Sequence, residues 1–185
     1  MSLGYRKGII TAQIDGPTLT AAASATCLPA AARRGLPANF FDAIEQTLLA
    51  KLTGRISCVV TTPGTARFDL RLGGTVIFDS LAIPLNIVAK VNVHFELDIL
   101  LTLRAVGAAA NFFGQGRFSS EAVIGSPLPS VGGSGMILLP YNTAPVVGGN
   151  FDSTIAQQLD CNFTQTVATG SLTVHQALFE SHRWE

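Results

Sequence analysis

His94, Glu96 and Asp98 alternate along one polar face of the chain, and His175 and Arg183 stand near its far end. A His-x-acid pair with a distant second histidine is the donor set of a two-histidine, one-carboxylate iron site. Alternate strand positions point to one side and can aim two ligands at one ion. His94, Glu96 and His175 would be the ligands of such a metal-dependent jelly-roll oxygenase. The intervening residues argue against it. Val93, Phe95, Leu97 and Ile99 claim the other face, and a strand with one buried face sends its alternate residues into water. A solvated or inter-subunit polar face is the stronger reading, and no metal or cofactor is expected.

Other chemistry-bearing motifs are weaker still. Gly114-Gln115-Gly116 lacks the third glycine and the following helix of a dinucleotide fingerprint. Neither a nucleophile elbow, a P-loop, a zinc-binding helix nor a paired-cysteine knuckle is present. Cys27, Cys58 and Cys161 are odd in number, have no metal-type spacing and no base partner, and read as reduced core residues of a protein made in a cytoplasm. Asp69 between Arg67 and Arg71 reads as an ion-pair ladder. Trp184 and Tyr141 are a thin aromatic inventory for sugar stacking. An enzyme is not expected.

The elements that carry these residues follow a period of two, the mark of half-buried strands. Leu48, Ala50, Leu52, Ile56, Cys58 and Val60 oppose Lys51, Thr53, Arg55 and Ser57. Ala66, Phe68, Leu70 and Leu72 alternate with Arg67, Asp69 and Arg71, and Gly73-Gly74 offers the positive φ that a two-residue hairpin needs before a returning strand at 75–81. The longest alternation, 92–104, predicts a strand near the middle of a sheet. Further strands are expected at 111–123, 153–166 and from Ser171 towards Trp184. Loops at 125–135 and 140–149, around a short apolar run at 136–139, are the best places for surface contacts. Helix signals reduce to at most one or two turns within 39–49. The alanine-rich stretch 21–34, interrupted by Pro29, reads as extended or irregular. The fold class is therefore all-β, an antiparallel two-sheet sandwich of jelly-roll type with at most one short helix. It is expected as an N-terminal arm, residues 1–10, followed by a single domain, 11–185.

Charge sets the range of partners. Lys plus Arg and Asp plus Glu each number 12, and charged residues are 13% of the 185 against 48% hydrophobic, where ordinary soluble domains carry about 25% charged. Such a balance lacks the basic footprint of a nucleic-acid binder and the attraction to an anionic membrane. No apolar stretch reaches the 18 or so residues of a spanning helix, and the start of the chain does not read as a secretory signal. A surface so poor in Lys and Glu fits association, because interface centres are depleted in those residues. A homo-oligomer is expected.

The segments 11–17 (TAQIDGP), 36–40 (LPANF), 54–57 (GRIS), 62–65 (TPGT), 72–76 (LGGTV) and 114–118 (GQGRF) together resemble tailed-bacteriophage structural proteins of this size, among them the jelly-roll decoration, or cement, proteins of capsids. That resemblance implies a homotrimer on the virion's capsid surface. It would bind the phage major capsid protein, stabilise the head against packed DNA and perform no enzymatic step. A tail fibre or spike module that binds a receptor or glycan is the alternative, and the metal-dependent oxygenase a distant third. No family motif assigns contact residues. Tyr5, Arg6, Lys7, Arg33 and Arg34 are expected to touch capsid or neighbouring subunit on exposure and position alone.

Overall fold

The computed structural model describes residues 4–12, 14–59, 62–123 and 135–184. Twelve strands follow in order: β1 Gly4–Ala12, β2 Ala25–Thr26, β3 Gly35–Leu36, β4 Thr47–Cys58, β5 Thr65–Leu72, β6 Thr75–Asp79, β7 Ile83–Pro84, β8 Lys90–Ala105, β9 Asn111–Ser120, β10 Gly135–Leu139, β11 Gln157–Gln165 and β12 Ser171–Trp184. One sheet runs β1-β12-β4-β8-β9-β10. The other runs β2-β11-β5-β6, with β3 added to β11 and β7 to β5. All pairings are antiparallel. The expected all-β two-sheet sandwich is present. Its chain path combines crossings between sheets, as from β4 to β5 and from β11 to β12, with a local β5–β6 hairpin and a β8–β9–β10 meander.

Alternation explains the long strands. In β8 Phe95, Leu97, Ile99, Leu101 and Leu103 are buried, and their partners on β4 and β9 include Leu52 opposite Leu97 and Phe118 on its other side. Across the core, Phe68 of β5 meets Phe118 and Phe163 at ring-centre distances of 5.2 Å and Phe95 at 6.1 Å. A second aromatic group closes one end, where Phe112 stands 5.0 Å from Phe41 and 5.4 Å from Phe151. The hairpin turn is the expected one: Leu72 pairs with Thr75, and Gly73 has φ +57°.

The only helical turn among the described residues is a 3-10 turn at Ala30–Ala32, and of the at most one or two turns expected within 39–49 none forms. There, Asn39 and Glu45 adopt φ of +58° and +73°, which breaks any right-handed helix. The buried Gln46 organises that stretch, donating to the Phe40 carbonyl at 3.0 Å and to Ser181 Oγ at 2.9 Å while accepting from the Asp42 N–H at 3.3 Å. Gln46→Leu leaves buried polar partners unpaired and is expected to destabilise the fold by about 1–3 kcal/mol, read from the urea midpoint.

One local expectation, the arm, is corrected. Residues 4–10 are not free but form most of β1, paired with β12 from Gly4 opposite Trp184 to Ala12 opposite Ala177. Ile10 and Ala12 are buried against the core, so an edge strand is held by both ladder and side chains.

Candidate functional site

The outer face of the six-stranded sheet carries the polar alternation. Leu138, Arg117, Asp98, Lys51 and Leu178 form one row across β10, β9, β8, β4 and β12. Asp98 receives Arg117 at 2.9 Å and lies 3.8 Å from Lys51. His94 is exposed with Nε2 3.6 Å from Glu96 Oε1, as a wet strand face requires. His175 sits on a bulge of β12, where the register with β4 shifts between Val174 and Gln176, and its Nδ1 lies 2.7 Å from Asp15 Oδ1. β4 separates β12 from β8, so two strand spacings, roughly 10 Å, part His175 from the His94–Glu96 face. The three proposed ligands are not brought together, and among the described residues no group of three His, Cys, Asp or Glu is placed to hold a metal ion. On the other sheet Arg67 pairs with Asp79 and Arg71 with Asp69. These hydrogen bonds push both guanidinium groups above their ordinary values. Of the expected ladder only the Asp69–Arg71 half forms, because Arg67 turns to Asp79 on the neighbouring strand instead.

Of the candidate contact residues, Tyr5, Arg6 and Lys7 lie on β1, and Arg33 and Arg34 follow the Ala30–Ala32 turn, which packs on β1. Arg6 donates to Glu180 at 2.7 Å, Lys7 Nζ lies 5.0 Å from the centre of the Phe40 ring, and Arg33 is 4.0 Å from Asp160. Arg34 is exposed, and its carbonyl accepts from the Leu159 N–H at 3.1 Å. Tyr5 pairs through its backbone with Arg183. Arg6, Lys7 and Arg33 therefore have intramolecular partners.

A different surface is coherent. β10 ends one sheet, β6 ends the other, and the loop 140–149 runs between them. Tyr141 N–H bonds to Ser80 O at 2.9 Å, Gly148 N–H to Phe112 O at 2.8 Å and Gly149 N–H to Val76 O at 3.0 Å. A Cβ on Gly148 would stand 2.0 Å from Ile77 O, so glycine alone permits this approach. Under the loop lies a cavity of about 300 Å³, walled by Val76, Phe78, Leu81, Pro140, Val146 and Val147 with Asp79 and Thr143 at its polar side. Met136 and Leu138 on β10 and Val146 and Val147 on the loop are exposed, Leu138 to 72% and Val146 to 68%.

No family model and no curated protein matches this chain. Among solved structures it is similar to the CBM2 module of the evolved Dit of Lactobacillus casei BL23 phage J-1, at 12% identity and a TM-score of 0.29, over 80% of this chain and 67% of that one.

The β10–loop side carries a signal legible in the sequence: no Asp, Glu, Lys, Arg or His occurs between Glu121 and Asp152. Of the two loops expected to make contacts, 140–149 is on this side, whereas the other lies outside the described residues up to 134. The short apolar run expected inside loop is itself a strand, β10, because β9 offers it a ladder from Gly135 opposite Ser120 to Leu139 opposite Gly116. The charge-free stretch ends at Asp152, whose carboxyl is held below its usual range by the Thr154 hydroxyl and N–H.

Proposed function

We propose that this protein is a structural virion protein, a capsid decoration or cement protein that docks as a homotrimer on the phage major capsid protein lattice and performs no catalysis. The observation that supports this reading is the uncharged side between β10 and β6. Its exposed Leu81, Met136, Leu138, Val146 and Val147 face water, and β10 and the 140–149 loop, which build most of it, carry no charged residue. Interface centres have this character: apolar side chains, few charges and a polar rim. Here Arg117, beside Leu138 in the sheet, and the Arg67–Asp79 pair below the cavity supply the rim. The trimer and the capsid location come from the resemblance to decoration proteins.

The test is the mass of the purified protein by light scattering, followed by sedimentation with assembled capsids of the parent phage. A trimer that pellets with capsids is the expected result. A protein that stays in the supernatant at every capsid concentration would overturn the cement role. A tail module that binds a receptor or glycan is the second reading, favoured by the cavity between β6 and the 140–149 loop. Glycan binding lost on closing that cavity, as by Thr143→Trp, is its signature.

A further inference from the structure

Cys27 and Cys161 are far apart in sequence and adjacent in the fold. β2 pairs with β11 through Thr26 opposite Asn162 and Ala25 opposite Phe163, and the same antiparallel register carried one step on sets Cys27 against Cys161. The Cys27 N–H donates to the Cys161 carbonyl at 2.9 Å, and the Cys27 thiol lies 3.2 Å from the same oxygen. Both side chains are fully buried. Directly opposed residues of an antiparallel pair share a face and have Cα atoms about 4.5–5.5 Å apart, which lies inside the Cα separation of about 4.4–6.8 Å that a disulfide spans. Cys58 differs. It is opposed by Lys90 on β8, and its thiol faces the Asn86 carbonyl at 3.5 Å.

We propose that Cys27 and Cys161 form a cross-strand dithiol that closes to a disulfide when the protein meets an oxidising medium, by exchange with a small-molecule disulfide such as oxidised glutathione. The thiolate of one cysteine attacks the glutathione disulfide and releases one glutathione thiol. The thiolate of the other then attacks the mixed disulfide, forms the Cys27–Cys161 bond and releases the second glutathione. The two protons lost by the cysteines end on the two glutathione thiols, so the protein is oxidised by two electrons and the glutathione disulfide is reduced by two.

The fold also sets when this happens. The neighbouring Cys27 thiol, and then burial, push the Cys161 thiol well above its ordinary value, and full burial shuts both sulfurs off from a reagent in the native structure. β2 is a two-residue edge strand, and short edge elements open locally at far lower cost than the core. Lifting β2 exposes Cys27 first. Closure would then tie the largely irregular 14–34 segment to β11, a link between residues that chain connectivity leaves far apart.

The test is incubation of the folded, full-length protein with oxidised glutathione, followed by thiol counting under denaturing conditions and non-reducing peptide mapping. Free thiols are expected to fall from three to one, with a Cys27–Cys161 peptide, and to do so faster in sub-denaturing urea. Cys58→Ser is expected to close at the same rate and to leave no free thiol. The oxidised wild type is expected to melt higher than the reduced. Three unchanged thiols, a persistent mixed disulfide with glutathione, or a linkage that includes Cys58 would each overturn the proposal.

Discussion

Phe68→Ala is expected to lower folding stability by about 3–5 kcal/mol, read from the urea midpoint at constant m-value. Among the described residues Phe68 is the one aromatic in contact with rings from three other strands: Phe95 of β8, Phe118 of β9 and Phe163 of β11. Two of those strands belong to the facing sheet and one to its own. Truncation therefore opens a void between the sheets, and none of the three surrounding rings can collapse into it without losing its own contacts. The transfer cost of the lost ring and the cost of the residual cavity add. Phe113→Ala is the control. That ring lies on the outer face of β9 beneath the Arg104 guanidinium at 5.2 Å, and its removal is expected to cost about 1 kcal/mol or less. Equal losses at the two positions would mean that the sheets are not packed around Phe68.

That same core was largely legible from residue order. Where a strand buries one face only, alternation identifies it, as with Phe95, Leu97 and Ile99 against His94, Glu96 and Asp98. Where two glycines follow a strand, a tight turn follows, as at Gly73-Gly74. What alternation cannot carry is the identity of a distant partner. β1 reads as an arm because Gly4, Arg6, Lys7 and Gly8 give it little hydrophobic pattern, and it becomes a strand only because β12 lies beside it. β12 in turn runs unbroken to Trp184 because β1 and β4 flank it, although its own composition weakens in the middle. The opposition of Cys27 and Cys161 is invisible for the same reason, since it depends on the register of β2 on β11. The distance of His175 from the His94–Glu96 pair is a non-local fact too: all three share a sheet, but β4 lies between them.

Leu138→Glu combined with Val146→Glu is expected to abolish sedimentation with capsids while leaving the fold intact. At 72% and 68% exposure neither side chain packs in the core, and substitutions at such positions ordinarily change stability by no more than about 0.5 kcal/mol. The far-UV spectrum and urea midpoint are therefore expected to match the wild type. Binding is different. A carboxylate carried into an apolar contact must be desolvated, at position 138 beside an Arg117 already held by Asp98, at a cost of several kcal/mol, and each 1.4 kcal/mol is a factor of about ten in affinity. Two such groups on one side exceed what an interface of ordinary size can absorb. The paired control is Arg6→Glu, which also introduces a carboxylate but on β1, at the opposite edge of the sheet. If Arg6→Glu releases the protein from capsids and the double variant does not, the contact lies at the β1 edge, and the uncharged stretch from Glu121 to Asp152 serves another purpose.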